Sequence, residues 1–330
     1  MSGQTVVVGT GSFGTAAAVM ALAAGTPVTL FGRDPRKVAE LERTRRHPQL
    51  GDLPLPAALA FSADPALLAT ADLILWAVPT QHTRAMAESL KSVIPATVPL
   101  VSLAKGFEEQ TVLTPCAILQ EVLGQNQPCA ALSGPSHALE IVAGKPACLV
   151  AAGPEAVIRL VRTRLHGPLC RVYTSPDLVG VEIAGALKNV IAIAAGLCDG
   201  LGFGDNLKAA LITRGLAEMR RLGRARGAQD ATFSGMAGIG DLLTTCYAPH
   251  GRNRGLGKAI ASGANPLMFL HQQQTVAEGA WTCRAADELA RRNSVELPIT
   301  SQVAAIIWQQ IPVRAALDAL FARSPKEEDA

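Results

Sequence analysis

The stretch 5–34, TVVVGTGSFGTAAAVMALAAGTPVTLFGRD, leaves few folds open to this chain. Thr5–Val8 is an apolar run with the composition of a strand buried on both faces of a parallel sheet. The chain then turns through Gly9, Gly11 and Gly14, spaced G-x-G-x-x-G, into a small, Ala-rich helical stretch over 15–24. After Gly25 and Pro27 a second strand, Val28–Phe31, ends at Gly32-Arg33-Asp34. The result is a β-α-β unit with its glycines at the strand-to-helix turn. Gly9 suits the tight turn, Gly11 lets a pyrophosphate touch backbone, and Gly14 lets helix and strand approach closely. An anion placed there rests on a helix N-terminus, where free N–H groups and the dipole favour it. Glycine spacing alone is weak evidence; the strand before it, the helix after it and the second strand on schedule point to dinucleotide binding.

The end of the second strand bears on which dinucleotide. NAD-specific folds usually place an acid there, about 20 residues past the glycines, on the ribose 2′-OH. Here no acid lies within 28–32, and Arg33 precedes Asp34. A guanidinium can stack on adenine and pair with a 2′-phosphate. The alternative is a solvated arginine in a loop whose Asp34 and Pro35 open the next helix. NADPH is therefore the favoured cofactor, with NADH as the other.

At 330 residues the chain suits two domains. Hydrophobic residues make up 49% and charged residues only 17%, which allows a large core and argues against disorder. A formal net charge of +3 is too small to suggest a nucleic-acid partner. No uncharged apolar run of about 18 residues suggests a membrane span, and the immediate entry into a strand leaves no room for a signal peptide. The seven cysteines are scattered and none forms C-x-x-C, so neither a metal knuckle nor a disulfide framework is indicated. These features fit a reduced, cytoplasmic protein with no metal centre.

Further strands are expected over 72–78, 98–103, 129–132, 147–152 and 169–173, alternating with helical stretches. From Leu178 onward only helical periodicity with Gly-rich breaks remains. Between them, Ser175 can cap a helix that has Pro176 at its first position. The fold class expected is α/β: a Rossmann-type doubly wound sheet over 1–175, followed by an all-α substrate and catalytic domain over 176–330.

Lys188 is the most informative residue of the second half. It sits in a nearly uncharged helix, LVGVEIAGALKNVIAIAAG, where its neighbours one turn away are Ala184, Gly185, Ile191 and Ala192. A lysine is seldom buried without a partner. No carboxylate lies within that reach, so any partner comes from elsewhere in the chain. Desolvation would lower its pKa and suit it to proton transfer; the plain alternative is a lysine snorkelling to the helix edge. Asn189 adds an amide beside it. Lys105 follows a strand end, where a crevice should open, and is either a cation beside a substrate oxygen or a loop charge. The loop 133–137, SGPSH, supplies Gly134 for close backbone approach and the Ser136 hydroxyl. Its His137 is a rival general acid, and the whole could also be an ordinary turn. In GIGDLL, Asp241 is either a helix cap or the missing carboxylate for Lys188. His250-Gly251-Arg252-Asn253-Arg254 reads as a phosphate clamp at a helix start, or as a solvated basic loop. Glu278 in TVAEG is a surface charge or a cofactor contact.

Taken in order, GTGSFGTA, the VP after DLILWA, AKG, SGPSHA, EIAGALKNV, GIGDLLTTC, RNR and AEG resemble NAD(P)-dependent glycerol-3-phosphate dehydrogenase of the bacterial type, from residue 5 to about residue 310. The resemblance implies an active site between the two domains. It implies reversible reduction of dihydroxyacetone phosphate to sn-glycerol 3-phosphate, supplying phospholipid synthesis. It places Ser12, Phe13, Arg33, Lys105, Ala138, Arg252, Val276 and Glu278 on the cofactor, beside the glycines. The substrate falls to Lys105, Gly134, Ser136, Lys188, Asp241, Gly251, Arg252 and Asn253, with Lys188 catalytic. Position 251 is glycine where the family usually has serine, which loses a hydroxyl and leaves a backbone N–H. The partners this allows are a small phosphate substrate and a second copy of the chain as a homodimer. A β-hydroxyacid or 6-phosphogluconate-type dehydrogenase would place Asn four residues after its lysine, where this chain has Ala192. A non-catalytic NADP(H) sensor is the third reading.

Overall fold

The computed structural model describes residues 3–249, 251–272, 277–324 and 327. Eight strands form one sheet: β1 Thr5–Val8, β2 Val28–Phe31, β3 Ala60–Ser62, β4 Leu73–Trp76, β5 Leu100–Ser102, β6 Cys129–Ser133, β7 Ala147–Ala152 and β8 Cys170–Ser175. Their order is β3-β2-β1-β4-β5-β6-β7-β8. Every pairing is parallel except β6 with β7, where Ala131 faces Ala152 and Ser133 faces Val150. Val8 pairs with Phe31 on one side and Trp76 on the other. The strand order therefore reverses at β1, and the crevice beyond its carboxyl end is where ligands bind in such sheets.

Successive side chains on a strand point to opposite faces. Val7, Leu73 and Leu75 pack against Ala16 and Met20 of the helix Ser12–Ala23. Val6, Val8, Ile74 and Trp76 join a second core that runs on without interruption into Ala184, Leu187 and Ile191 of the helix Leu178–Gly200. The helical half thus completes the burial of the sheet. Each fully buried leucine or isoleucine there stabilises the fold by roughly 1.5–3 kcal/mol.

Leu178–Gly200 is long and apolar enough to cross a membrane by length and composition, yet 83% of its apolar window is buried inside the protein. It is the central core helix. The helix Arg252–Ala261 crosses it with backbones in direct contact. A Cβ on Gly196 would stand 2.1 Å from the Arg254 carbonyl oxygen, and one on Gly257 would stand 2.1 Å from that of Ile193. Only glycine permits this approach, which sets Asn253 against Asn189.

Two local expectations change. Ser175 closes β8 and is no helix cap; its Oγ accepts from the Asp177 N–H. Asp177 caps the core helix instead, accepting from the Gly180 N–H at 2.9 Å. The short edge strand β3 was not among the expected strands.

Candidate active site

Gly9 has φ +114°, a backbone region that disfavours any side chain. A Cβ on Gly14 would stand 2.1 Å from the Gly9 carbonyl oxygen, whereas one on Gly11 would meet nothing within 4 Å. The first helical turn therefore packs tightly while presenting bare, exposed backbone at Gly11. A groove runs from this turn past Ser12, Phe13, Arg33, Lys37, Ala77 and Pro79 to Arg252 and Glu278. This open cradle at a helix N-terminus fits a dinucleotide pyrophosphate.

Asp34 caps the next helix, accepting from the Arg36 N–H at 3.0 Å. It is thereby occupied, and Arg33 stands exposed at the groove with Lys37 nearby. Arg33→Asp should weaken NADPH at least tenfold more than NADH, by losing a charge-assisted pair and adding repulsion. Fluorescence titration of both nucleotides checks this; equal losses would leave Arg33 as loop support.

Lys188 and Asp241 meet across 53 positions of sequence, Nζ to Oδ1 at 2.7 Å. Lys105 approaches the other oxygen, Oδ2, also at 2.7 Å. One buried carboxylate thus bridges two ammonium groups. Asp241 is the first residue of the helix Asp241–Tyr247 but makes no cap bond; its side chain is spent on the lysines. Lys188 also donates to Thr245 Oγ1 at 2.8 Å, and Lys105 to the Gly134 carbonyl at 3.2 Å. An ammonium has three donors, so each lysine keeps one N–H for a substrate oxygen.

Burial drives the Lys188 pKa down to about 8, with the Asp241 charge opposing that fall and the Lys105 charge adding to it. For Asp241, burial pushes the carboxyl up, but the two lysine charges and their hydrogen bonds outweigh it and hold it below its ordinary value.

A chain of amides ties this centre to the groove. Asn189 Nδ2 donates to the Lys105 carbonyl at 2.9 Å. Asn253 Nδ2 donates to Asn189 Oδ1 at 2.9 Å, and the Gly279 N–H donates to Asn253 Oδ1 at 3.0 Å. Next to Gly279, Glu278 Oε1 accepts from the N–H and Oγ1 of Thr80, just beyond β4. Both halves of the chain are stitched together at the crevice mouth.

The remaining expected residues divide. Phe13 lies 5.7 Å below Lys105 Nζ, and Ser12 donates to Gln49 Oε1 at 2.7 Å at the groove rim. Ser136 Oγ donates to the same Gly134 carbonyl that Lys105 uses, at 2.9 Å. Arg252 is exposed at the groove. The Asn253 side chain is committed to its amide partners, which leaves its backbone N–H to any anion. The Gly251 N–H turns to the Ala248 carbonyl at 3.3 Å, so it is no free replacement for the missing serine hydroxyl. Ala138 opens a short helix packed on Ser12–Ala23. Val276 and His250 fall outside the described residues. Thr245 was missed by sequence reasoning; its signal is its place four residues after Asp241, on the same helix face.

The family model described as NAD-dependent glycerol-3-phosphate dehydrogenase N-terminus matches residues 4–157, and its C-terminus counterpart matches residues 177–318. Over 326 residues the chain is 44% identical to glycerol-3-phosphate dehydrogenase (NAD(P)+) 1 of Salinibacter ruber, covering 97% of this chain and 96% of that protein. It is 41% identical to glycerol-3-phosphate dehydrogenase (NAD(P)+) of Dechloromonas aromatica, covering 98% and 99%. The crystal structure of glycerol-3-phosphate dehydrogenase from Coxiella burnetii superposes with TM-score 0.91 at 33% identity, covering 97% of this chain and 99% of that one.

Proposed function

The chain belongs to the NAD-dependent glycerol-3-phosphate dehydrogenase family, and from that premise we propose how its site interconverts dihydroxyacetone phosphate and sn-glycerol 3-phosphate. It is an oxidoreductase acting on a CH–OH group with NADH or NADPH. The observation that carries the mechanism is the Asp241 bridge, which holds two ammonium groups 2.7 Å from one buried carboxylate at the crevice mouth.

A nicotinamide cofactor bound in the groove supplies the hydride for C2 of the ketone. Lys188 gives the proton that the C2 oxygen takes up. With a pKa of about 8 it is charged at neutral pH yet able to release that proton. In the reverse direction the neutral amine accepts it. Lys105 offers its remaining N–H to the same oxygen and stabilises charge as it develops. Asp241 keeps both ammonium groups aimed at one point. The substrate phosphate falls to Arg252 and to the first turn of the helix it opens. There Gly255 is the first N–H to bond back, to the Gly251 carbonyl, which leaves earlier N–H groups for an anion. A cytoplasmic location and a role in supplying phospholipid synthesis belong to this reading.

Loss of NADPH absorbance on adding dihydroxyacetone phosphate to the purified protein tests it. Turnover is expected, with dihydroxyacetone, which lacks the phosphate, a poor substrate. Preference for a carboxylate substrate, or cofactor binding without turnover, would overturn the reading.

A further inference from the structure

Backbone bonds anchor the glycine turn at both ends. The Gly9 N–H donates to the Phe31 carbonyl at 2.9 Å, and the Thr15 N–H bonds back to the Gly11 carbonyl at 2.9 Å. Between these anchors lies the Thr10–Gly11 peptide. Among the described residues no backbone donor reaches the Thr10 carbonyl. The N–H groups of Gly11, Ser12 and Phe13 likewise meet no backbone acceptor there, as befits the orphan donors of a helix start.

A side chain 37 positions along takes up that carbonyl. His47 Nε2 stands 3.0 Å from the Thr10 oxygen. The other ring nitrogen, Nδ1, accepts from the Gln49 backbone N–H at 3.1 Å. An amide N–H only donates, so Nδ1 carries the lone pair and the proton sits on Nε2, which donates to Thr10. Both ring nitrogens are thereby satisfied in the neutral imidazole. The ring is buried, and burial lowers its pKa against the opposing pull of the Thr10 bond. It rides on a closed turn, in which the Leu50 N–H donates to the His47 carbonyl at 3.0 Å and the Leu50 side chain is buried. From the same turn, Gln49 Oε1 accepts from Ser12 Oγ. The residues on both sides of Gly11 are therefore held from one turn.

The Thr10–Gly11 peptide is trans, so its C=O and N–H point in opposite directions. With the carbonyl drawn to the buried ring, the Gly11 N–H is turned the other way. That is the open side, where Gly11 is exposed and a Cβ on it would meet nothing within 4 Å. Resting on the dinucleotide binding read above, we propose that His47 is a positioning residue for the cofactor's pyrophosphate. The imidazole bonds the far side of the peptide that the anion meets. It fixes the plane of that peptide in advance, so that no rotation has to be frozen when the anion binds. The bond to Thr10 also polarises the peptide and makes the Gly11 N–H a better donor.

Fluorescence titration of NADPH and NADH into wild type, H47F, H47Q and H47N tests this. The glutamine amide N–H stands in for Nε2–H, whereas the asparagine amide reaches only the place of Nδ1. H47F should weaken both nucleotides by the same factor, about tenfold, because they share the pyrophosphate and a charge-assisted bond is at stake. H47Q should recover most of that loss and H47N little of it. At saturating cofactor, kcat and the KM for dihydroxyacetone phosphate should stay within about twofold of wild type in all three, since the lysine pair is built on other segments. In the nucleotide-free wild type, imidazole nitrogen NMR shifts should show His47 protonated at Nε2, assigned by the signal lost in H47Q. Unchanged affinity in H47F would overturn the assignment. So would rescue by asparagine in place of glutamine, a loss confined to NADPH, or a ring protonated at Nδ1. Affinity and kcat falling together, with neither amide restoring them, would make His47 purely structural and overturn it as well. If the Phe variant does not fold, the contrast between Gln and Asn carries the comparison. A wild type that binds neither nucleotide would instead remove the dinucleotide reading, and the assignment with it.

Discussion

Lys188→Ala should lose most of kcat and leave NADPH affinity nearly intact. The ammonium lies beside the crevice, 2.7 Å from Asp241 and 2.8 Å from Thr245, with one donor to spare. Its task is proton transfer in the chemical step, and general acid–base groups supply roughly 10²–10⁴-fold in rate. The fall in kcat should reach or exceed that range, because a positioned charge is lost with the proton. Affinity should hold, because the groove from Gly9 to Arg33 is formed by other segments. A single-turnover assay should show the loss in the hydride step, and fluorescence titration should return the wild-type nucleotide affinity. Retention of wild-type kcat would take the lysine out of the mechanism and promote His137 as the acid.

What the sequence disclosed depended on how local each feature was. The glycine turn was legible because strand, turn and helix follow one another within 5–34, and each glycine has a separate steric task. Lys188 was legible by contrast: a cation in an apolar helix, with no acid one turn away, advertises a missing partner. That Asp241 also serves Lys105 was hidden. Those two residues are 136 positions apart, and no local pattern reports that a strand-end loop and a helix start converge on one carboxylate. The partners of the Asn253 side chain were hidden for the same reason, since they lie on two other helices. The antiparallel β7 was equally opaque, because a run buried on both faces reads alike in either direction. The Ser175 cap failed on a closer contest, with Asp177 offering a stronger acceptor two residues on.

Asp241→Asn is expected to be the costliest single change for stability and to alter catalysis with a definite sign. The wild-type carboxylate pairs with two ammonium groups, both largely withdrawn from water, and offsets one of their two charges. An amide keeps the shape but leaves both charges without a counter-ion, and breaking a buried pair costs about 3–5 kcal/mol. Urea denaturation should show a loss of that order, smaller if one lysine gives up its proton. In the wild type the Asp241 charge supports the Lys188 pKa, against burial and against Lys105. Without it, the lysine should titrate below about 8. Reduction needs charged Lys188, so its rate falls as pH rises through that pKa. The falling limb of kcat against pH should therefore move to lower pH in the variant. For oxidation, which needs the neutral amine, the rising limb should move the same way. The double variant with Lys188→Ala should lose less than the sum of the single losses, because the two residues act as one device. Fully additive losses, with an unmoved pH limb, would leave Asp241 a structural counter-ion with no part in setting the lysine's proton affinity.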